Sequence, residues 1–309
     1  MNANAPLEWI AIDWGTSNVR AWGLSCDGET TFATESDKGM SRLRRDDYPG
    51  VLQELVGAHL GAGDDPVDLV ICGMAGAKQG WREAPYIETP ADLRTLGQNA
   101  VMPDMPDDRL RPRILSGVCH KQAGAEDVMR GEETQVLGLL ALKPDFSGTI
   151  CMPGTHAKWV RVADGRITAF STAMTGELYE LLSTQSVLRH SLQGTLDGPT
   201  HEDGLKAGLN AGITQPGNLT GQLFKVRAAA LLSGRDAAWC AGYLSGLLVG
   251  SEVAGHQNWI PETPVPLVGS ARLSRIYARA FDMIGASTET IDATTATLAG
   301  LAAARKQIP

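Results

Sequence analysis

The sequence predicts an α/β protein built from two halves of like element order. Two observations carry this. The stretch Ile10 to Leu24 reads as an apolar strand, a small-residue turn and a second apolar strand, and a matching strand–Gly/Thr turn–strand series starts at Thr149. Between and after these hairpins, helical stripes alternate with short apolar runs.

In the first hairpin, Ile10, Ala11 and Ile12 lead to Asp13, and the chain turns through Gly15, Thr16 and Ser17 before Val19 to Leu24. Such a tip can turn backbone N–H groups and two hydroxyls toward one concavity, a seat for phosphate oxygens. Asp13 stands where a hydrated Mg²⁺ would sit, because Mg²⁺ takes one or two carboxylates plus phosphates and keeps most of its waters. A plain polar hairpin turn is the other reading of the same residues.

Thr30 to Thr34 is predicted as a third strand, and Tyr48 to Leu60 as a helix with an apolar stripe at Val51, Leu52, Leu55, Val56 and Leu60. Val67 to Cys72 is apolar but for Asp68 and reads as a strand covered on both faces. It ends in Gly73-Met74-Ala75-Gly76, where glycines permit close backbone approach. Ala77 to Tyr86 is polar, aromatic and broken by Pro85, so it reads as a loop. Arg113 to Ser116 is predicted as a strand and Glu133 to Leu142 as a helix.

The second cycle runs from a strand at Thr149 to Met152, through the turn Pro153 to Lys158, to strands at Trp159 to Val162 and Ile167 to Ser171. Helices are predicted over Gly176 to Leu188, Leu205 to Asn210, Phe224 to Leu232 and Asp236 to Val253. A late strand, Pro266 to Val268, leads through Gly269-Ser270 into a helix from Leu273 to Ile284. The expected division is 1–146 and 147–309, with the last helix a candidate to cross back to the first half.

The 309 residues carry a net charge of −8 and no basic block, which argues against nucleic acid and against an anionic membrane. The five cysteines are scattered, with no CxxC or Cys/His spacing, so reduced thiols are expected rather than a structural zinc site. The N-terminus lacks a signal-peptide pattern, and the uncharged stretch Ala237 to Ser251 falls short of the roughly 20 residues of a membrane span. A cytoplasmic protein is expected, and a homodimer is the oligomeric form weighed.

Two phosphate-type hairpins followed by strand–Gly–Ser–helix resemble the actin/hexokinase/heat-shock-70 superfamily. Within it, the chain resembles the 2-dehydro-3-deoxygalactonokinases. The resemblance rests on IDWGTSNVRAW (12–22), GMAGAKQGWREAPY (73–86), VMRGEETQVLG (128–138), MPGTHAKWV (152–160), MTGELYELL (174–182), LSGLLVGSEV (244–253) and LVGSARLSRIYARAF (267–281). Each alone is a weak signal; together, in order and over nearly the whole chain, they are specific.

The resemblance implies two ribonuclease-H-like domains with an interdomain cleft that closes on substrate, and ATP with Mg²⁺ as cofactors. It implies phosphorylation of 2-dehydro-3-deoxy-D-galactonate on its 6-hydroxyl, in galactonate breakdown. An exopolyphosphatase-like phosphohydrolase, or a kinase of a related 2-keto-3-deoxy sugar acid, is the alternative.

Under this resemblance Asp13 orients the metal and Gly15, Thr16 and Ser17 line the γ-phosphate. Gly154, Thr155 and Lys158 hold the β-phosphate, and Gly269 and Ser270 let the adenine approach the backbone. His156 has no second His or Cys near it in sequence and is read as a hydrogen-bonded structural residue. Lys78, Trp81, Arg82 and Tyr86 put cations and aromatics on one loop, suited to a sugar acid's carboxylate and carbon chain. Glu132 and Glu133 open a helix and are the candidates for general base. Glu133 shares its face with Val136, Leu137 and Leu140 and is expected to point inward, whereas Glu132 faces a more mixed surface.

Overall fold

The computed structural model describes residues 5–61 and 65–309. These fall into two compact units. The first comprises 1–147, 162–169 and 293–309, and the second 148–161 and 170–292.

In the first unit, β1 (Trp9–Trp14), β2 (Val19–Leu24) and β3 (Thr30–Ser36) form an antiparallel meander. Helix α1 (Tyr48–Val56) follows, its final turn tightening to 3₁₀ geometry over Gly57–His59, short of the predicted Leu60. Strand β4 (Val67–Gly73) then lies parallel to β1. The short strands β5 (Tyr86–Glu88) and β6 (Ala91–Asp92) precede β7 (Leu110–Ile114), which is parallel to β4. The sheet order is therefore β3-β2-β1-β4-β7. The predicted strand at Arg113 to Ser116 is shifted: β7 starts earlier because Leu110, Pro112 and Ile114 alternate inward.

Strands β8 (Gly117–His120) and β9 (Asp127–Met129) make a small second sheet with β5, followed by helix α2 (Glu132–Leu142). The core beneath the main sheet centres on Trp14, Tyr48 and Trp81, whose rings lie within 4.7–6.3 Å of one another.

The second unit repeats the plan. Strands β10 (Gly148–Met152), β11 (Ala157–Ala163) and β12 (Arg166–Ala173) come first, and the turn between β11 and β12 belongs to the first unit, where Ile167 and Arg166 pair with β6. Helices α3 (Thr175–Thr184), α4 (His201–Thr214), α5 (Leu219–Leu223), α6 (Lys225–Ser233) and α7 (Ala237–Gly255) follow. Strand β13 (Val265–Gly269), helix α8 (Ala271–Met283) and strand β14 (Thr288–Asp292) complete the unit, and helix α9 (Ala293–Arg305) returns to the first. The order β12-β11-β10-β13-β14 matches that of the first unit: third, second, first, then two later strands added in parallel.

Helices α4 and α7 run parallel at backbone contact. A Cβ at Gly204, Gly208 or Gly212 would stand 2.1, 2.2 or 2.5 Å from a carbonyl oxygen of α7, and Gly242, Gly246 and Gly250 face α4 in the same way. Only glycine permits this approach, and it brings Cα–H groups against carbonyls across the seam. Leu205 therefore sits in a predicted helix that extends to both sides, from His201 to Thr214.

All five cysteines are free thiols. Cys26, in the turn between β2 and β3, is exposed, and the other four are buried. Among the described residues, no helix is long and apolar enough to cross a membrane.

Candidate functional site

Asp13 is the next-to-last residue of β1 and lies opposite Arg20 in the β1–β2 ladder. Arg20 Nη2 donates to Asp13 Oδ2 at 2.6 Å and Nη1 to Thr294 Oγ1 at 3.3 Å. Arg20 thus pairs with the candidate metal carboxylate. The turn beyond Asp13 closes through Gly15 N to Asn18 O at 2.8 Å and leaves Thr16 and Ser17 exposed. It is braced from behind by Met40 N to Gly15 O and Ser41 N to Thr16 O, at 3.1 and 2.9 Å.

Two further residues lie beside Asp13, Cys72 and Gly73. Cys72 Sγ stands 3.9 Å from Asp13 Oδ1. Burial, then the negative charges of Asp13 and Glu133, push the Cys72 thiol well above its usual range. Gly73 follows with φ +87°, and a Cβ there would meet the Trp14 carbonyl oxygen at 2.5 Å. The position takes glycine on both counts.

Glu133 is fully buried, as its place on α2 predicts. Its two carboxylate oxygens accept from Gly131 N at 2.9 and 2.8 Å, and Oε1 also accepts from Thr134 Oγ1 at 3.2 Å. Glu133, the second residue of α2, thus reaches back to the amide of its own helix's N-cap. Burial first, and then the neighbouring Glu132, push the Glu133 carboxyl up to about 8; the Arg130 charge and backbone amides pull the other way. Glu132 is half-buried, and its Oε2 accepts from Arg130 N at 3.1 Å.

The loop after β4 splits in two. Trp81 is 5% exposed, stacked on Tyr48 and edge-on to Trp14, so its ring belongs to the core rather than to an open stacking surface. Its rim and Arg82 line a pocket of about 540 Å³ together with Arg45, Asp46 and residues 103–106. Lys78 and Tyr86 are not part of that lining. Lys78 is exposed, and its carbonyl accepts from Arg45 Nη2 at 3.0 Å. Tyr86, expected within the loop, opens β5, and the Arg130 guanidinium lies 4.3 Å above its ring.

Arg45 and Arg130 are contributors that sequence reasoning missed. Arg45 brings a second cation to the pocket from a segment some 35 residues upstream of the loop, with Nε donating to Gly80 O. Arg130 reaches Ala84 O at 2.9 Å with Nη2, while its Nε and Nη1 are buried with no hydrogen-bond partner. The only signal for Arg130 was its place beside Gly131-Glu132-Glu133.

In the second unit, the turn after β10 leaves Gly154 half-buried and Thr155 exposed. Lys158 is only 3% exposed, because it lies in β11 with its ammonium folded back to donate to His156 O at 3.2 Å. It therefore lies in the strand wall rather than at the lip of the turn, where a phosphate ligand was expected. His156 hydrogen-bonds Glu177 through Nε2 at 2.5 Å, in keeping with a structural role.

Gly269 ends β13, and Ser270 caps α8 by accepting from Leu273 N at 3.4 Å. Beside them is a pocket of about 300 Å³ whose lining is largely apolar, including Leu248, Val249, Leu273 and Ile276, with Gly154 and Gly176 at its edge. Of these lining residues the sequence pointed to Gly154.

A sequence profile of the 2-keto-3-deoxy-galactonokinase family matches residues 13–304. The chain belongs to the 2-keto-3-deoxy-galactonokinase family. A 2-dehydro-3-deoxygalactonokinase of Rhizobium meliloti (strain 1021) is 40% identical over 304 residues, 97% of each chain. The 2-dehydro-3-deoxygalactonokinase of Escherichia coli (strain K12) is 36% identical over 297 residues, 95% of this chain and 96% of that one. A crystal structure of a 2-dehydro-3-deoxygalactonokinase protein from Sinorhizobium meliloti superposes with a TM-score of 0.86 at 38% identity, covering 97% and 96% of the two chains.

More distant likeness extends to xylulose kinase from Lactobacillus acidophilus, with a TM-score of 0.50 at 10% identity, and shows the fold alone. The α/β, actin-like ATPase class expected from sequence is thus borne out, as is the family resemblance. A 2-keto-3-deoxy-galactonokinase is a carbohydrate kinase with ATP as co-substrate.

Proposed function

We propose that the chain transfers the γ-phosphoryl group of ATP to the 6-hydroxyl of 2-dehydro-3-deoxy-D-galactonate, giving the 6-phosphate and ADP. The family match over residues 13–304 carries this reading. In the step, a bond forms between O6 and the γ-phosphorus, and the bond from that phosphorus to the β,γ-bridging oxygen breaks. The hydroxyl proton passes to a carboxylate. Such a reaction needs alignment and charge neutralisation more than covalent help.

Glu133 is the proposed base. Its burial supports this, since a carboxyl raised to about 8 is, once ionised, a stronger base than an ordinary carboxylate. Its hydrogen bonds to Gly131 are those of the resting enzyme; catalytic contacts commonly form only with substrate in place.

Asp13 is the proposed Mg²⁺ residue. Asp13 offers one half-buried carboxylate near the end of β1. That suits Mg²⁺, which leaves most of its shell to water and phosphate. When bound, Mg²⁺ neutralises phosphate charge. Gly15, Thr16 and Ser17 are proposed for the γ-phosphate, Gly154 and Thr155 for the β-phosphate, and Gly269 and Ser270 for the nucleoside end. Lys158 contributes charge from within the strand. Arg82 with Arg45, or Lys78, is proposed for the substrate carboxylate. The five free thiols suit the reducing cytoplasm, the proposed compartment.

The test is ADP release over a panel of 2-keto-3-deoxy sugar acids, with inorganic polyphosphate as the competing substrate. Sugar-acid-dependent ADP release, highest with the galacto compound, is the expected result. Polyphosphate hydrolysis without sugar-acid turnover would overturn it.

A further inference from the structure

Helix α7 carries a single charged residue, Glu252, and it is 7% exposed. A buried carboxylate is tolerated where donors meet it, and three do. Trp159 Nε1 donates to Oε1 at 2.8 Å. Tyr277 OH donates to Oε2 at 2.6 Å, and Thr175 Oγ1 donates to the same oxygen.

Two of these donors have a second surface. Thr175 and Tyr277 both line the 300 Å³ pocket beside Gly154. They come from different helices, α3 and α8, so a single carboxylate oxygen fixes two walls of one pocket. Thr175 also opens the segment that braces the phosphate-type turn. A Cβ on Gly176 would stand 2.5 Å from Gly154 O, and Glu177 N donates to Thr155 O at 3.0 Å. Glu252 thus lies directly behind both the pocket wall and the residue that opens the bracing helix. No phosphate or hydroxyl of a ligand need touch it.

We infer that Glu252 is a positioning residue for the nucleotide: by holding the Thr175 and Tyr277 hydroxyls it keeps the pocket between α3 and α8 open in the shape that receives the base and ribose of ATP. The inference rests on the kinase reading above for the identity of the ligand. Preorganisation of this kind acts on affinity, because a wall already in place costs no ordering when the ligand arrives.

The experiment is titration of the full-length protein with ADP, by calorimetry, for the wild type and for Glu252→Gln, Tyr277→Phe and Thr175→Val. Glutamine keeps the shape but offers one acceptor where three donors converge. ADP affinity is expected to fall about tenfold in Glu252→Gln and less in the other two, and the Glu252→Gln/Tyr277→Phe pair should be little worse than Glu252→Gln alone, as for groups acting through one network. In steady state, the KM for ATP should rise while the KM for the sugar acid and kcat at saturating ATP stay within about twofold, the pattern of lost ground-state binding. ADP affinity unchanged in a folded Glu252→Gln protein would overturn the inference. Were that variant not to fold, unchanged affinity in both Tyr277→Phe and Thr175→Val would do so. A wild type that binds ADP but phosphorylates no sugar acid would sink the kinase reading and leave the ADP titrations to decide on Glu252.

Discussion

Asp13 and Arg20 face each other across the β1–β2 ladder, joined by an ion pair of 2.6 Å that leaves the second carboxylate oxygen to the Cys72–Gly73 corner. The arginine occupies Oδ2 and so orients the carboxylate as well as partly neutralising it. Asp13→Asn removes the charge and keeps the shape. It is expected to lower kcat by at least about 10², since metal-borne charge stabilisation accounts for several kcal/mol of barrier lowering. Arg20→Met should cost about tenfold or less, because it loosens Asp13 without removing it. Equal losses in the two variants, measured at saturating Mg²⁺, would mean that Asp13 acts only through its ion pair.

Glu133 should leave a signature in both rate and stability. The rate should rise with pH through a limb near 8, where the carboxyl becomes a base, and Glu133→Gln should lower kcat by roughly 10²–10⁴ and abolish that limb. Stability runs the other way. Between the unfolded carboxyl's range and about 8, the folded state keeps a proton that the unfolded chain has lost, so stability falls as pH rises through that window. Glu133→Gln cannot ionise, so its melting temperature should gain on the wild type between pH 5 and pH 8. A variant that loses stability equally at both pH values, with kcat intact, would identify Glu133 as a helix cap alone.

The loop residues should separate by function. Arg82→Ala is expected to raise KM for the sugar acid at least about tenfold with KM for ATP unchanged, the loss of one charge-assisted contact. Trp81→Ala should instead cost about 3–5 kcal/mol of stability, as for a large core aromatic. Chemical denaturation and steady-state kinetics distinguish them. A Trp81→Ala protein that is fully stable but cannot bind the acid would reverse the assignment.

The glycine seam between α4 and α7 makes a sharp prediction for folding. Gly208→Ala places a methyl group 2.2 Å from the Tyr243 carbonyl oxygen, so the helices must part. About 1–3 kcal/mol of destabilisation is expected, from overpacking against backbone that cannot rotate away. Gly217→Ala, with open space around it, should be neutral or stabilising by up to about 1 kcal/mol. Urea titration of both proteins tests the contrast.

What was legible in the sequence was what lies close together along the chain. The hairpin at Asp13, the apolar run of β4 and the inward face of Glu133 all follow from local periodicity. What was missed depends on contacts that span the sequence. The strands β5, β6, β8 and β9 have two to four residues each and exist only through their partners. Strand β14 alternates threonine with charge and has a single buried residue, Ile291, so it lacks an apolar signal, and α9 is an Ala/Thr helix without a polar contrast. The burial of Lys158 was hidden because its place after a Gly-Thr turn gives no sign of the strand that encloses it. Glu252 looked like one charge at the end of an apolar helix. Its three donors lie 93, 77 and 25 residues away. The seam is the exception: its glycines recur at every fourth position in both helices, and that spacing was available to be read.

The unpaired thiols have a practical consequence. With four of the five buried and Cys26 exposed in the β2–β3 turn, the wild-type chain presents a single reactive sulfur to a maleimide. A fluorophore or spin label can therefore be set at one defined point, on the hairpin next to the strand that carries Arg20, without first stripping cysteines from the protein. The chain comes with its own reporter position, about one strand's length from the carboxylate whose occupancy most needs to be watched.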